Sequence, residues 1–404
     1  MNELDERICA IAESAFPELF SLACDIYDHP ETGLQEFYAS GRLVSFLREK
    51  GFAVESGTGG LETAFRATWE NAPGGPSIGL LMEYDALESL GHACGHHLQS
   101  AAVISAALAL REVLADFPFR LVLYGTPAEE KYGGKIAMAE AGCFRDVDLM
   151  FAYHASRDTS TFYQDKALRS VRVVFHGVPA HAAIAPEKGR SALDAMMLAF
   201  HALEIMREHV KEGCRIHYAV REGTGPSNIV PERAVSQITL RAPDKNYLAD
   251  MEDRLSKILE GACLMTGTTV EAEPQPAYWE LIPVESLREE ILRRAEELGA
   301  PKLSREKKCS AGSSDLGNVS WIVPTANVYS YFCDEAPHSE TWLRKGKSTE
   351  AGQSALFGAK ILALAASGYI LHPEKIKALK EEHLAAISTR SQAHGTLHGA
   401  CGGL

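Results

Sequence analysis

The sequence predicts an α/β protein of two parts, a larger part built on a mostly parallel sheet and a smaller α+β part inserted into it. Three observations favour this fold class. Helical and strand patterns alternate over the first third of the chain. A strand–helix–strand–strand–helix–strand order follows in the middle, and the alternation then resumes. A chain of 404 residues is also long enough for two domains.

Helices and strands alternate regularly in the first third of the chain. The patterns predict helices over residues 3–16, 18–49, 98–114 and 134–141. Strands are predicted at residues 63–69, 77–82, 119–124 and 149–153. Because such alternation is typical of α/β domains, we expect these strands to form a largely parallel sheet.

The middle of the chain has a different order. Strands are predicted at 170–175, 215–220, 235–241 and 268–273, with helices at 191–210 and 246–265. This β-α-β-β-α-β order is that of a ferredoxin-like unit. Polar residues and prolines interrupt the patterns near 164–168 and 274–276, so we predict an inserted domain at 168–276 and a main domain formed by 1–167 and 277–404.

Beyond residue 283 the α/β pattern returns. It predicts a helix at 287–298, a strand at 322–328 and a long apolar helix at 351–371. The last residues, from Gln392, are rich in glycine and include two histidines and a cysteine. We interpret this stretch as a flexible tail rather than a metal site, because glycine-rich termini are usually disordered.

Composition excludes several classes of function. Lysine and arginine total 40 against 54 acidic residues, and this net charge of −14 argues against nucleic-acid binding. The longest apolar runs, Ala101–Leu110 and Ile361–Ala366, are too short to span a bilayer. The acidic N-terminus does not resemble a signal peptide, and nine scattered cysteines indicate reduced thiols. We therefore expect a cytoplasmic protein that binds neither membranes nor nucleic acid.

Cys94 and His96 are the first candidates for chemistry. Two residues apart, their side chains point the same way in an extended or turning backbone. A thiolate and an imidazole aimed at one point suit zinc, cobalt, nickel or manganese. The pair also follows a predicted strand, at the edge of the sheet where α/β proteins place ligands. Taken alone, such a pair is more often a turn with a buried cysteine.

Glu129 and Glu130 follow the next predicted strand and a Gly-Thr-Pro turn. Since adjacent side chains diverge, one carboxylate could bind a metal while the other takes a proton from water. Two neighbouring glutamates are usually a solvated pair, and His154 and His338 are each unremarkable alone. Their common position just beyond apolar strands predicts one site with enough nitrogen, oxygen and sulfur ligands for two metal ions.

Together these motifs resemble the M20 metallopeptidase family in its amidohydrolase branch, which includes aminoacylases, hippurate hydrolases and p-aminobenzoyl-glutamate hydrolase. The resemblance runs from about Glu13 to Leu371, with the motifs in family order. Leu81–Leu87 with Gly91–His96, and Gly312–Trp321, are most similar to the p-aminobenzoyl-glutamate hydrolase group. The resemblance implies a two-domain hydrolase in which the inserted domain is a lid that also forms the dimer.

The resemblance also implies a role for each candidate of the main domain. Cys94 would bridge two divalent metal ions, which could be manganese, zinc, cobalt or nickel. The remaining metal ligands would be His96, Glu130, His154 and His338. Glu129 would be the general base, and Asp85 would orient a metal ligand.

In the inserted domain, two residues match the family's lid motifs. His181, within Gly177–Ala183, would reach the active site of a partner subunit and stabilise the oxyanion. Asn228 would contact the substrate. Taken alone, His181 is an ordinary loop histidine. The group that binds a substrate carboxylate is not identified by a motif, and Arg190 and Arg241 are candidates.

Two departures from the family pattern concern the substrate. His97 stands where relatives usually have Asn or Asp, and Lys131–Gly134 is bulkier than the family's glycine-rich run. We expect both to lie at the rim of the pocket, with His97 contacting substrate. The expected reaction is hydrolysis of a small N-acyl or N-aroyl amino acid. One alternative is deamination of an aromatic amine, which would release ammonia without a carboxylic acid. The other is a catalytically silent scaffold dimer, in which Glu129 would be dispensable.

Overall fold

The computed structural model describes residues 1–161, 163–223, 225–309 and 312–392. The chain divides into two compact units. Unit 1 draws on residues within 1–164, 281–310 and 314–389, and unit 2 is centred on residues 165–280. The predicted domain boundaries, with 168–276 inserted between 1–167 and 277–404, remain a proposal. The glycine-rich tail predicted to be flexible lies outside the described residues.

Unit 1 begins with alternating helices and strands. In chain order they are α1 (Glu3–Asp28), α2 (Phe37–Glu49), β1 (Ala53–Ser56), β2 (Phe65–Glu70), β3 (Ser77–Met82), α3 (His97–Val113), β4 (Arg120–Gly125), α4 (Gly134–Glu140), β5 (Leu149–Ser156) and β6 (Tyr163–Gln164).

Unit 2 follows, and the chain then completes unit 1. The elements of unit 2 are β7 (Ala167–His176), α5 (Ala192–Arg207), β8 (Arg215–Glu222), β9 (Arg233–Ala242), α6 (Lys245–Thr266) and β10 (Thr269–Pro274). The last elements are α7 (Glu285–Glu297), β11 (Lys308–Cys309), α8 (Leu316–Ser320), β12 (Thr325–Tyr331), α9 (Glu340–Lys345), α10 (Thr349–Leu371) and α11 (Glu374–Gln392).

The main sheet of unit 1 has the strand order β1-β2-β4-β3-β5-β12. Its β4-β3-β5-β12 portion is parallel, whereas β1 and β2 are antiparallel additions at one edge. Every residue of β3 is buried, and α3 packs between α1 and α10 in the main core. The parallel strands therefore end at a common edge, which positions the loops that follow them. This sheet confirms the predicted α/β class.

Unit 2 contains a four-stranded antiparallel sheet with the order β10-β7-β9-β8. Helices α5 and α6 pack against each other and against β7 and β9, and the side chains between them form a separate core. Inward positions of β9 alternate with less buried ones, as expected of a sheet covered on one side. This arrangement confirms the predicted ferredoxin-like α+β unit.

Several predicted elements differ from the structure. The first helix continues through Pro17 and ends at Asp28, because Pro30 disfavours helical backbone at His29. Strand β5 extends to Ser156 through its pairing with β12, so His154 lies within the strand rather than beyond it. The short elements β1, β6, β11, α8 and α9 were not predicted, because a few residues carry too little periodicity.

Helix α10 extends well beyond the short apolar run Ile361–Ala366 that it contains. With 23 residues and a mean hydropathy of 1.6, it could cross a membrane by length and composition alone. However, 78% of its apolar window is buried inside the protein. Its contacts with α1, α3 and α7 account for that composition, since this helix supplies the centre of the core.

Candidate metal centre

The structure brings the five predicted metal ligands together in two overlapping groups. One group contains Cys94, His96 and His154, and the other contains Cys94, Glu130 and His338. Within each group the potential ligand atoms lie within 4.8 Å of one another. Cys94 is the member common to both groups, which is the arrangement expected of a bridging thiolate.

Tight turns after the strands bring these side chains to one place. Cys94 and His96 lie between β3 and α3, separated by Gly95, whose φ of +88° favours glycine. His338 also has a positive φ, of +61°, and its backbone N–H donates to the carbonyl oxygen of Ala93 at 2.9 Å. This hydrogen bond ties the loop that carries His338 to the turn that carries Cys94.

Asp85 holds two of the candidate ligands at once. Its Oδ1 lies 2.8 Å from His96 Nδ1, and its Oδ2 accepts the backbone N–H of Glu130 at 2.9 Å. His96 Nε2 is thereby left to face the carboxylates of Glu83, at 3.2 Å, and Glu130, at 3.9 Å. Burial disfavours the charged ring, but the acidic groups of Cys94, Glu83 and Asp85 outweigh it and hold the pKa of His96 well above its usual value.

The donor set fits divalent metal ions. Within the described part of the chain, Glu130 Oε1 is buried and accepts no hydrogen bond, although His338 Nε2 is only 3.4 Å away. Cys94 Sγ lies 3.5 Å from His154 Nε2. The other ring nitrogen of His154, Nδ1, is hydrogen-bonded to the carbonyl oxygen of Ala155. A thiol, three imidazoles and a carboxylate with a buried oxygen that accepts no hydrogen bond suit a borderline-soft cation.

Glu129 lies beside a buried network of charges. An oxygen of Glu129 is within 4.8 Å of oxygens of Glu83 and Asp315. The ammonium of Lys135, itself fully buried, lies 2.5 Å from Glu83 and 2.6 Å from Asp315. Burial, followed by the charges of Glu83, Asp315 and Glu130, raises the pKa of Glu129 well above its usual value, and Lys135 opposes this rise. The carboxyl group is thus suited to holding a proton.

Sequence reasoning missed this network. Its members are Glu83, Gln99, Lys135 and Asp315. One signal was available for Glu83, because residues 83 and 85 are two positions apart just beyond β3 and so share a side. Lys135 and Asp315 are 180 positions apart, and nothing in the sequence links them.

The structure corrects the prediction for His97. Its ring is fully buried rather than at a pocket rim, and its Nε2 donates to the carbonyl of Gly346 at 2.8 Å. Tyr27 packs edge-on against the ring, with the centroids 4.9 Å apart. A side chain without exposed surface cannot contact substrate in this conformation. Lys131 and Tyr132, in contrast, are exposed, and their place at the rim of the pocket stays a prediction.

Of the candidates in unit 2, His181 and Asn228 lie on paired loops. His181 bridges to Ile229, and the carbonyl of Asn228 accepts the N–H of Ala182 at 2.9 Å. His181 Nδ1 accepts the N–H groups of Ala183 and Ile184, both at 3.3 Å. The ring proton therefore resides on Nε2, where the exposed imidazole can donate a hydrogen bond.

The two candidate arginines differ in their surroundings. Arg190 bonds the carbonyls of its own loop, Glu187 and Gly189. Arg241 is partly buried and donates to the Ser313 hydroxyl at 2.8 Å. Burial lowers the pKa of Arg241, and nothing in its contacts identifies a substrate carboxylate.

Comparison with known proteins gives a consistent result. Residues 80–342 match the model of peptidase family M20/M25/M40. The chain is 34% identical to the Xaa-Arg dipeptidase of Mus musculus, over 94% of this chain and 92% of that protein. It is 29% identical to one of the two subunits of the p-aminobenzoyl-glutamate hydrolase of Escherichia coli, over 96% of this chain and 97% of that protein.

Solved structures share the fold. The aminobenzoyl-glutamate utilization protein from Klebsiella pneumoniae superposes with a TM-score of 0.70 at 22% identity, covering 90% of this chain and 98% of that one. The Bacillus subtilis YXEP protein, described as a dinuclear metal binding peptidase, has a TM-score of 0.63 at 18% identity, covering 87% and 98%.

Proposed function

The chain belongs to peptidase family M20/M25/M40 and is a hydrolase that acts on C–N bonds, and we propose that it cleaves the amide bond of a small N-acyl or N-aroyl amino acid. The observation that carries this proposal is the position of Cys94 in both potential ligand groups, with Glu129 beside them. A water molecule and an amide carbonyl could be activated at one place there.

The proposed division of labour follows from the side chains. Divalent ions held by Cys94 and its neighbours would polarise the carbonyl and make water a better nucleophile. Glu129 takes the proton from the attacking water and later delivers it to the amine nitrogen as the C–N bond breaks. Its location among other buried carboxyl groups supports this role, because they favour the protonated form between the two steps.

The lid residues complete the proposed site. His181 would donate from Nε2 to the oxygen that becomes negative, and Asn228 would contact substrate. We propose that these residues serve the active site of a partner subunit. A dimer through unit 2 is supported by apolar side chains on α5 and β8 that are more than half exposed, namely Met197, Ile205 and Val220. Light scattering of the purified protein would give the mass of two chains.

The substrate class is supported by the names of two similar proteins. An Xaa-Arg dipeptide and p-aminobenzoyl-glutamate are different acyl compounds, yet in both the amide nitrogen belongs to an amino acid. We therefore include dipeptides among the candidate substrates. Deamination of an aromatic amine remains the alternative: the burial of His97 removes one of its two grounds, and the bulkier segment Lys131–Gly134 is the other.

The proposed compartment is the cytoplasm. Every cysteine whose side chain the structure describes carries a free thiol. A reducing environment preserves such thiols, including Cys94, in the state that binds metals. The identity of the metal belongs to the same proposal, with manganese, zinc, cobalt and nickel as candidates because the donor set suits all four.

A hydrolysis screen tests the proposal. The full-length protein, loaded separately with manganese, zinc or cobalt, is given N-acyl amino acids, p-aminobenzoyl-glutamate and dipeptides, and the free amino acid is measured. We expect release of an amino acid and a carboxylic acid, and a loss of about 10²–10⁴ in kcat for Glu129→Gln. Glu381→Gln, which changes an exposed glutamate of α11, is the matched control. Ammonia without carboxylic acid, or full activity of Glu129→Gln, would contradict the mechanism.

A further inference from the structure

The turn that carries Glu129 and Glu130 begins with an unfavourable backbone conformation. Ala128 is fully buried and has a φ of +60°, in the left-handed region that residues with a Cβ seldom adopt. Such a conformation is unfavourable for a residue with a Cβ and persists only where the surroundings enforce it. Since the turn places the proposed base and a proposed ligand, whatever enforces it also positions the site.

The residue that contacts this turn is a buried carboxylate from a distant part of the chain. Glu36 has no exposed surface, and its Oε1 accepts the N–H of Ala128 at 2.8 Å. Its Oε2 accepts the Thr63 hydroxyl at 3.0 Å. A Cβ on Gly33 would lie only 3.0 Å from the Cβ of Ala128, so the loop before α2 packs directly against the turn.

Carboxylates hold the turn from both sides. Glu36 bonds the N–H of Ala128, and Asp85 bonds the N–H of Glu130 two residues later. A buried backbone N–H that loses its hydrogen-bond acceptor is left unsatisfied, so each of these two bonds is expensive to lose. Asp85 also orients His96, whereas the hydrogen bonds of Glu36 go to the N–H of Ala128 and the Thr63 hydroxyl, and its charge acts on Asp85.

We propose that Glu36 is a positioning residue that fixes the left-handed conformation of Ala128 and so aims Glu129 and Glu130 at the metal centre. This inference rests on the proposed function. Among the described residues, Glu36 forms its hydrogen bonds with Ala128 and Thr63 and not with a predicted metal ligand, so it acts through the backbone of the turn. The effect of Glu36 on metal affinity should therefore depend on whether its side chain is long enough to accept the N–H of Ala128. It should also depend on the backbone strain at Ala128, and less on the charge of Glu36.

Variants of Glu36 separate reach from charge. Glu36→Gln keeps an oxygen that can accept the Ala128 N–H, and because burial, reinforced by Asp85, raises the pKa of Glu36 to about 7, the neutral amide resembles its protonated form. Glu36→Asp keeps the charge but is one methylene too short. Calorimetric titration of the metal-stripped, full-length protein with cobalt or zinc should show about 10- to 100-fold weaker binding for Glu36→Asp and Glu36→Ala. Glu36→Gln should bind the metal more tightly than either of these variants, with an affinity close to that of wild type.

A second residue tests the link through Ala128. Glycine adopts a positive φ without strain, so Ala128→Gly should make Glu36 less necessary. We expect Glu36→Ala to weaken metal binding much less in the Ala128→Gly background than alone. This non-additivity distinguishes positioning of the turn from a general loss of stability, which would be the same in both backgrounds.

Glu31 offers a matched control in the same loop. Its carboxylate accepts the N–H groups of Tyr38 and Ala39 at the start of α2 and does not contact the turn. Glu31→Ala should lower the melting temperature and leave metal affinity unchanged.

Wild-type affinity in Glu36→Asp, or the same loss in both Ala128 backgrounds, would overturn the proposal for Glu36 while leaving the metal centre intact. A wild-type protein that binds no divalent ion would overturn the proposed function, and this inference with it.

Discussion

Two adjacent histidines of one motif, His96 and His97, lie in opposite surroundings. His96 faces a thiol and carboxylates, which hold its pKa well above the usual value despite burial. His97 faces Tyr27 and a single carbonyl oxygen, that of Gly346, and burial lowers its pKa to about 4. Both rings are almost completely buried, so burial alone does not separate them.

The difference shows which surroundings would suit one histidine to metal binding and the other to a structural role. At His96, one ring nitrogen is held by Asp85 and the other faces further candidate ligands. At His97, one ring nitrogen bonds a backbone carbonyl, and the ring fills space between apolar and aromatic groups. Whether a histidine is suited to bind a metal therefore depends more on the groups that surround its ring than on its being a histidine.

The largest contrast is expected from replacing each histidine in turn. His96→Ala should remove bound metal and lower kcat/KM by at least about a thousandfold, because metal ions contribute several kcal/mol to such reactions. His97→Phe keeps an aromatic ring against Tyr27 and should retain metal. Metal analysis and kinetics of both variants measure this, and equal metal loss in the two would remove the distinction between the histidines.

Acid should reveal the second difference. The folded protein lowers the pKa of His97 to about 4, against about 6.5 for an unfolded histidine. Its contribution to stability is thus present above pH 6.5 and lost as the pH falls through 4. That loss amounts to roughly 3 kcal/mol of unfolding free energy. Denaturant unfolding of the metal-free protein measures this. Between pH 7 and 4 the free energy of unfolding should fall less for His97→Phe than for wild type, and an equal fall in both would contradict the prediction.

A smaller effect is expected from the residue that orients His96. Asp85→Ala removes the partner of the His96 ring and of the Glu130 N–H together. Metal affinity should fall about 10- to 100-fold, as is typical for groups that orient ligands. Titration with zinc measures the change. Wild-type affinity in this variant would mean that the two ligands hold their positions without Asp85.

Much of the fold could be predicted because its elements are long and periodic. The strand at 77–82 was predicted to the residue, and α3 to within one residue at each end. The end of β5 was predicted too early. Its last residues are paired with β12, and pairing between distant strands cannot be recognised from the local sequence pattern.

The candidate site likewise has features that could be predicted from the sequence and features that could not. The candidate ligands follow strands in short motifs, so the sequence placed them near one another. Glu36 and Ala128 are 92 positions apart, and their contact depends on how two loops pack. The burial of His97 was missed for the same reason, since the carbonyl that it contacts is 249 positions away.

The central claim is that Cys94 joins two metal positions in one centre. Anomalous diffraction from crystals of the zinc- or manganese-loaded protein, recorded at the absorption edge of the metal, tests it most directly. We predict two peaks adjacent to Cys94 Sγ, one shared with His96 and His154 and the other with Glu130 and His338. Metal peaks away from Cys94, or none in a fully loaded crystal, would contradict the account.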